Sequence, residues 1–237
     1  QVDLLPDRMA NAATISAVGV RRGLPRQAIV IALATALQES KLDNLEGGDR
    51  DSIGLFQQRP SQGWGSPTEL SDPRFAANAF YAALTKVQGW QRMRLTDAAQ
   101  AVQRSAHPEA YQRWSVDAGV LATALIGDAT GAVACALSGT PELNGAAATE
   151  RLRADLTLDW GQVPTTPAER VPGLVFGVRD TRTGWQVAHW LVAHADGHGV
   201  KRVRFGASEW TARTGAWRRA AEAGAANQIL AEVHPQT

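Results

Sequence analysis

One cysteine, two methionines and an aromatic content of 6% are all that the 237 residues contain of those types. The lone Cys135 excludes an internal disulfide and any zinc site built from several cysteines. Neither sign of charge dominates, with 24 Lys and Arg against 23 Asp and Glu. A cut near Leu137 leaves 13 against 13 before it and 11 against 10 after it. A nucleic-acid partner ordinarily leaves a basic bias on one part of a chain, so that class is disfavoured. Uninterrupted apolar runs of membrane-spanning length are missing as well. The best stretch, 120–137, is broken by Gly127, Asp128 and Gly131, and an aspartate at mid-bilayer is costly; it reads as a helix running into a small-residue linker. The chain starts at Gln1 without the charged-then-apolar pattern of a signal peptide, which suggests a trimmed or mature segment.

What is present is ordinary for a soluble globular protein: 44% hydrophobic and 20% charged residues, enough for one large domain or two modest ones. The first part reads as helices separated by loops. A helix is expected over 7–19, with Asp7 as its cap and a glycine near its end, and a second from Pro25 to Ser40. The second is apolar on almost every side and should be enclosed by neighbours. Between 41 and 65 periodicity disappears and turn residues accumulate, leaving room for a short hairpin. A loop of that length carrying Ile53, Leu55, Phe56 and Trp64 is expected to be functional rather than disordered. Helical patterns return at 73–87, 96–105 and 108–126.

The stretch 139–149 has the small, Pro- and Gly-containing character of a linker, and a unit of different texture follows. Strands are expected at 174–178, 200–205 and 228–233, with a helix over 185–195. The expected organisation is a helical domain over 1–137, a linker over 138–155 and a small α/β (α+β) accessory domain over 156–237.

Glu39 is the residue that asks for an explanation. It ends the most apolar helix of the chain, where a low-dielectric setting and the negative end of the helix dipole both disfavour an ionised carboxylate. A carboxylic acid kept protonated can serve as general acid in glycoside cleavage. The bland alternative is a frayed helix end with Glu39 exposed and paired to Lys41. Downstream, Asn44 and then Asp51-Ser52-Ile53-Gly54-Leu55-Phe56-Gln57-Gln58 follow the Glu39-Ser40 pair. This combination resembles the soluble lytic transglycosylase family of the lysozyme-like superfamily, over roughly the first half of the chain.

The resemblance implies a mainly α, lysozyme-like domain with a short β-hairpin, acting on peptidoglycan strands with neither metal nor cofactor. It makes Glu39 the catalytic acid and base, Ser40 its partner at the helix end, and Ser52 and Gln57 the serine and glutamine of the family's loop. The residues expected to bind substrate are Ser40, Ser52 and Gln57, and further on Trp64 and Tyr111. Tyr111 corresponds to a tyrosine that family members often place in the groove. Phe56 replaces a more usual methionine, which bears on the shape of one sugar subsite. In the family's mechanism the substrate's acetamido group supplies what a second carboxylate supplies elsewhere, and the product carries an anhydro-sugar end. A hydrolytic lysozyme would need that second carboxylate, for which Asp49 and Asp51 are the candidates, although both also suit an ordinary turn. Trp64, flanked by glycines, could stack on a sugar ring or anchor its loop in the core. A non-catalytic wall-binding or regulatory protein that keeps the groove is the alternative from another class.

In the last third, His194 and His198 stand four apart but are separated by Gly197, and no carboxylate follows in a ligand pattern, so no metal site is expected. The strand and helix order there faintly resembles metal-dependent carboxypeptidase-like domains of cell-wall proteins. Arg170 and Gly177 stand where that family would supply a His and an Asp, and Leu230-Ala-Glu232 stands where it would end in His-Val-His. Such a domain without its ligands would serve to bind wall material or cell-envelope proteins, or to restrain its neighbour. Work on the wall implies an exported, extracellular or cell-envelope protein.

Overall fold

A computed structural model describes residues 1–236. The chain divides into two units, Gln1–Ala122 and Thr123–Thr237. Among the described residues there are eight α-helices and one six-stranded antiparallel sheet, an α+β class.

The first unit is built around α2 (Arg26–Glu39), with α1 (Pro6–Arg21), α4 (Pro73–Leu84) and α5 (Leu95–Gln103) packed against it. Ile29, Ile31, Leu33, Ala34 and Leu37 of α2 are all buried, so the helix that is apolar all round is enclosed. Pro25 is the residue before its first turn rather than within it. Helix α1 extends two residues beyond Gly19. That glycine is a packing position, since a Cβ there would meet the Tyr81 hydroxyl at 2.7 Å and Ile29 Cγ1 at 2.8 Å. Asp7 lies in the first turn of α1 behind Pro6, not at its cap. Tyr81 donates its hydroxyl to the Ile15 carbonyl at 3.0 Å, locking α4 onto α1.

Between α2 and α4 the chain forms turns, a single antiparallel bridge between Ile53 and Gln58, and the short helix α3 (Pro67–Leu70). Ser66 and Glu69 cap α3 reciprocally. The continuous helix expected over 108–126 is broken. A turn at 108–110 and a 3-10 segment, Gln112–Trp114, precede α6 (Ser115–Leu125). The break follows from Tyr111, whose ring is fully buried and whose hydroxyl is held by a distant carboxylate, so the local chain must bend to deliver it.

In the second unit the expected linker over 138–155 is a correction. Helix α7 (Gly145–Trp160) occupies most of it and packs on strands β2 and β6 through buried Ala148, Leu152 and Leu156. The unit boundary at Ala122 also falls earlier than the expected 137. The strands are β1 (Thr165–Pro167), β2 (Gly173–Gly177), β3 (Val200–Phe205), β4 (Ser208–Thr211), β5 (Trp217–Arg219) and β6 (Gln228–Val233), in the order β1-β2-β6-β3-β4-β5. Helix α8 (Thr181–Ala193) packs on β3 and β6, capped by Asp180, which accepts from the Thr183 amide at 2.7 Å. Among the described residues no helix is long and apolar enough to cross a membrane.

Candidate active site

The end of α2 is built in three steps. Lys41 and Leu42 both take positive φ, 60° and 68°, which turns the chain sharply away. The Lys41 amide returns to the Leu37 carbonyl at 3.3 Å, a left-handed helix stop made without glycine. The Lys41 ammonium also goes to the Leu37 carbonyl, at 3.0 Å, and sits 4.5 Å over the Trp114 ring. It therefore neutralises helix-end carbonyls, and the pairing with Glu39 weighed from the sequence is not made. Burial, followed by the charge of Arg113, lowers the Lys41 pKa from its usual value.

Ser40 then fixes the loop to the helix. It is buried, and its hydroxyl lies 3.1 Å from the Ala36 carbonyl and 2.8 Å from the Leu55 carbonyl. The loop holds its own shape through Ser52, whose hydroxyl lies 2.8 Å from the Asp49 carbonyl and 3.0 Å from Gln57 Oε1, with one proton to share between them. Gln57, at φ 48°, returns its side-chain amide to the Gly54 carbonyl at 3.1 Å. Gly54 must be glycine: its φ is +76° and a Cβ would stand 2.4 Å from the Leu70 carbonyl oxygen. Ser52 and Gln57, read from the sequence as substrate-binding, thus have their hydrogen bonds inside the loop. Asn44 donates to the Ser71 carbonyl at 2.7 Å, tying the loop to the end of α3.

Glu39 itself is half-buried. Its Oε1 accepts the Tyr111 hydroxyl at 2.7 Å and the Gln103 side-chain amide at 3.2 Å. Gln103 was not singled out in the sequence, and it also donates to the Phe56 carbonyl at 2.7 Å. One amide group therefore joins α5, the loop and the carboxylate. With two donors aimed at Oε1, a proton carried by Glu39 sits on Oε2, which has no protein partner among the described residues. Burial raises the Tyr111 pKa above its usual value, and the neighbouring Glu39 carboxylate adds to the rise. The phenol accordingly stays a donor throughout the working range. Tyr111 was expected in the groove; it is fully buried, and its hydroxyl is taken up by Glu39 Oε1.

Phe56 is also buried and stacks on Phe80 with centroids 4.7 Å apart, so its ring belongs to the core. Of the two rival carboxylates, Asp51 uses both oxygens within the loop, Oδ1 to Arg59 at 2.6 Å and Oδ2 to the Ser61 amide at 2.8 Å. Those bonds, the Ser61 backbone first, hold its pKa well below the usual carboxylate range. Asp49 is exposed, and its backbone carbonyl faces the Ser52 hydroxyl. Trp64 is half-buried on its glycine-flanked loop. It lines a cavity of about 790 Å³ together with Gln103, the residue that touches Glu39.

His194 and His198 of the second unit are buried. His194 Nδ1 lies 3.0 Å from the Trp190 carbonyl, and its ring stacks on Trp190 at 4.0 Å. His198 Nδ1 reaches the His194 carbonyl at 3.0 Å while Nε2 reaches Asp155 at 2.9 Å. Among the described residues no group of three or more His, Cys, Asp and Glu side chains is arranged to hold a metal ion. At the positions compared with the carboxypeptidase ligands, Glu232 is buried and forms ion pairs with Lys201 at 2.8 Å and Arg202 at 2.5 Å. These three line a second cavity, of about 660 Å³.

No protein-family model matches the chain, and no curated protein matches it either.

Proposed function

We propose that the first unit is a lysozyme-like domain that cleaves peptidoglycan as a lytic transglycosylase, with Glu39 as its one catalytic carboxylate. The observation that carries this reading is the pair of donors on Glu39 Oε1, which directs the acidic proton to Oε2. A carboxyl group with one oxygen held and the other available suits a residue that must first give and then take a proton.

In the proposed cycle the Oε2 proton goes to the glycosidic oxygen after an N-acetylmuramic acid unit as the bond from that oxygen to C1 breaks. The 2-acetamido oxygen of the same sugar stabilises the positive C1. The C6 hydroxyl oxygen then bonds to C1 while Glu39 Oε2 accepts its proton. The sugar ends as a 1,6-anhydro ring, and Glu39 regains the proton it gave. Water is not consumed and no second carboxylate is required, which agrees with Asp51 having both oxygens occupied. Tyr111 and Gln103 hold the acid, Ser40 holds the helix end to the loop, and Trp64 offers a ring face to the strand. Action on the wall implies an exported protein, and the second unit, with its ion-paired cavity, would serve as an accessory module for wall material or envelope proteins.

Turbidity clearing of purified walls, run beside sedimentation binding, tests the assignment. Wild type is expected to clear and to bind. Glu39→Gln should bind and no longer clear. If wild type binds walls but never clears them, the protein is a wall-binding module instead; if Glu39→Gln clears like wild type, Glu39 is not the acid.

A further inference from the structure

The cavity that Trp64 shares with Gln103 has a composition that the cleavage reading does not require. Among its lining residues are four alanines, Ala79, Ala82 and Ala83 on α4 and Ala101 on α5, whose small side chains leave room between two packed helices. The charged residues lining it are Lys86 and Arg104, and no acidic residue lines it. Both cations are exposed, and neither makes an ion pair or side-chain hydrogen bond among the described residues. This contrasts with Arg8, Arg59 and Arg94 of the same unit, each of which is paired with an aspartate. Arg104 takes a left-handed conformation, φ 53°, directly after the Gln103 that holds Glu39. A half-buried tryptophan, a side-chain amide and two cations without a partner therefore line one groove that adjoins the acid through a single residue.

From this arrangement we infer that the groove selects glycan strands bearing free carboxylates, with Lys86 and Arg104 as the residues that read the charge and Trp64 as the face on which a neutral ring lies. The inference rests on the cleavage reading for the identity of the strand, but the charge requirement belongs to Lys86 and Arg104 alone. Because both cations face solvent, each contributes modestly and is screened by salt.

The test uses the full chain, wild type and Lys86→Gln/Arg104→Gln, on soluble glycan strands whose stem-peptide carboxylates are free and on the same strands after chemical amidation. The expected result is a KM for the free-carboxylate strands roughly 3- to 10-fold higher in the double variant, shrinking as salt is raised, with little change for amidated strands. Lys86→Glu/Arg104→Glu should widen that difference. Equal effects on both strands, or none on either, overturn the inference while cleavage itself stands. If wild type cleaves neither strand, sedimentation binding of the same pair decides. Retention of the free-carboxylate strand that depends on Lys86 and Arg104 supports the inference and removes the cleavage reading, and indifference to charge there overturns it.

Discussion

Tyr111 and Gln103 converge on one oxygen of Glu39, and the consequences of that convergence are large for so few atoms. Removing the phenol hydroxyl takes away a hydrogen bond to a carboxylate inside a largely buried site, a loss of about 1.5–3 kcal/mol and thus roughly a 10- to 100-fold drop in kcat. Tyr111→Phe should show that drop below its melting transition together with a modest fall in melting temperature, because the ring still fills the same space but the bond is lost from the folded state as well. Steady-state kinetics well below the transition, beside a thermal melt, would check it; an unchanged kcat per folded molecule would point to a purely structural tyrosine. Gly54→Ala should behave in the opposite way. The φ of +76° and the 2.4 Å approach to the Leu70 carbonyl leave no room for a Cβ, so the loop must shift. Left-handed backbone alone costs an alanine about 1–2 kcal/mol, which a denaturant titration would resolve.

The joint between α2 and its loop sets the site at the scale of elements. Ser40 contributes the bond from the helix end to the Leu55 carbonyl, so Ser40→Ala should loosen residues 52–58 and cost about 1 kcal/mol. Faster amide exchange of the 52–58 segment, without a change in α1, would be the sign of it. How far this joint could be read in the sequence varies residue by residue. Helix α2 was plain, because no pattern other than full enclosure explains an unbroken apolar run such as Ala28-Ile29-Val30-Ile31-Ala32-Leu33. Gln103 was not, since its role depends on a contact with a residue 64 positions away and nothing local distinguishes it from a solvated glutamine. The break before α6 was hidden for the same reason: Tyr111 is pulled inward by a distant carboxylate, while its neighbours are compatible with helix. Helix α7, which replaces the expected linker, does leave a signal in the sequence. Ala148, Leu152, Asp155, Leu156 and Asp159 form a buried stripe at helical spacing. Two of the five are aspartates, Asp155 paired with Arg151 of the same helix and with His198, and Asp159 accepting from the Trp190 indole, and the small, Pro- and Gly-containing residues of 139–149 just before them gave the segment the look of a linker.

For the whole molecule, the two units should respond differently to pH. In the second unit His189 is fully buried. Its Nδ1 faces the Ala124 carbonyl at 2.8 Å and its Nε2 accepts the Ala132 amide at 2.9 Å. Only the neutral ring with its proton on Nδ1 satisfies both, and burial lowers the pKa from 6.5 to about 4. The unfolded chain binds a proton near 6.5 that the folded chain refuses until about 4. Stability from this residue is thus complete above pH 6.5 and is lost as pH falls towards 4, on the order of 3 kcal/mol over that window. Urea titrations followed by tryptophan fluorescence should show the loss, and His189→Gln should flatten the slope while lowering stability at neutral pH. Five of the eight tryptophans, Trp160, Trp185, Trp190, Trp210 and Trp217, lie in this unit, so the signal reports chiefly on it. The central claim concerns the first unit, and the mass of the sugar ends released from purified peptidoglycan tests it most directly. Anhydro ends from wild type, absent with Glu39→Gln, are what a single proton-shuttling carboxylate produces; reducing ends, which carry the elements of one added water, would contradict it.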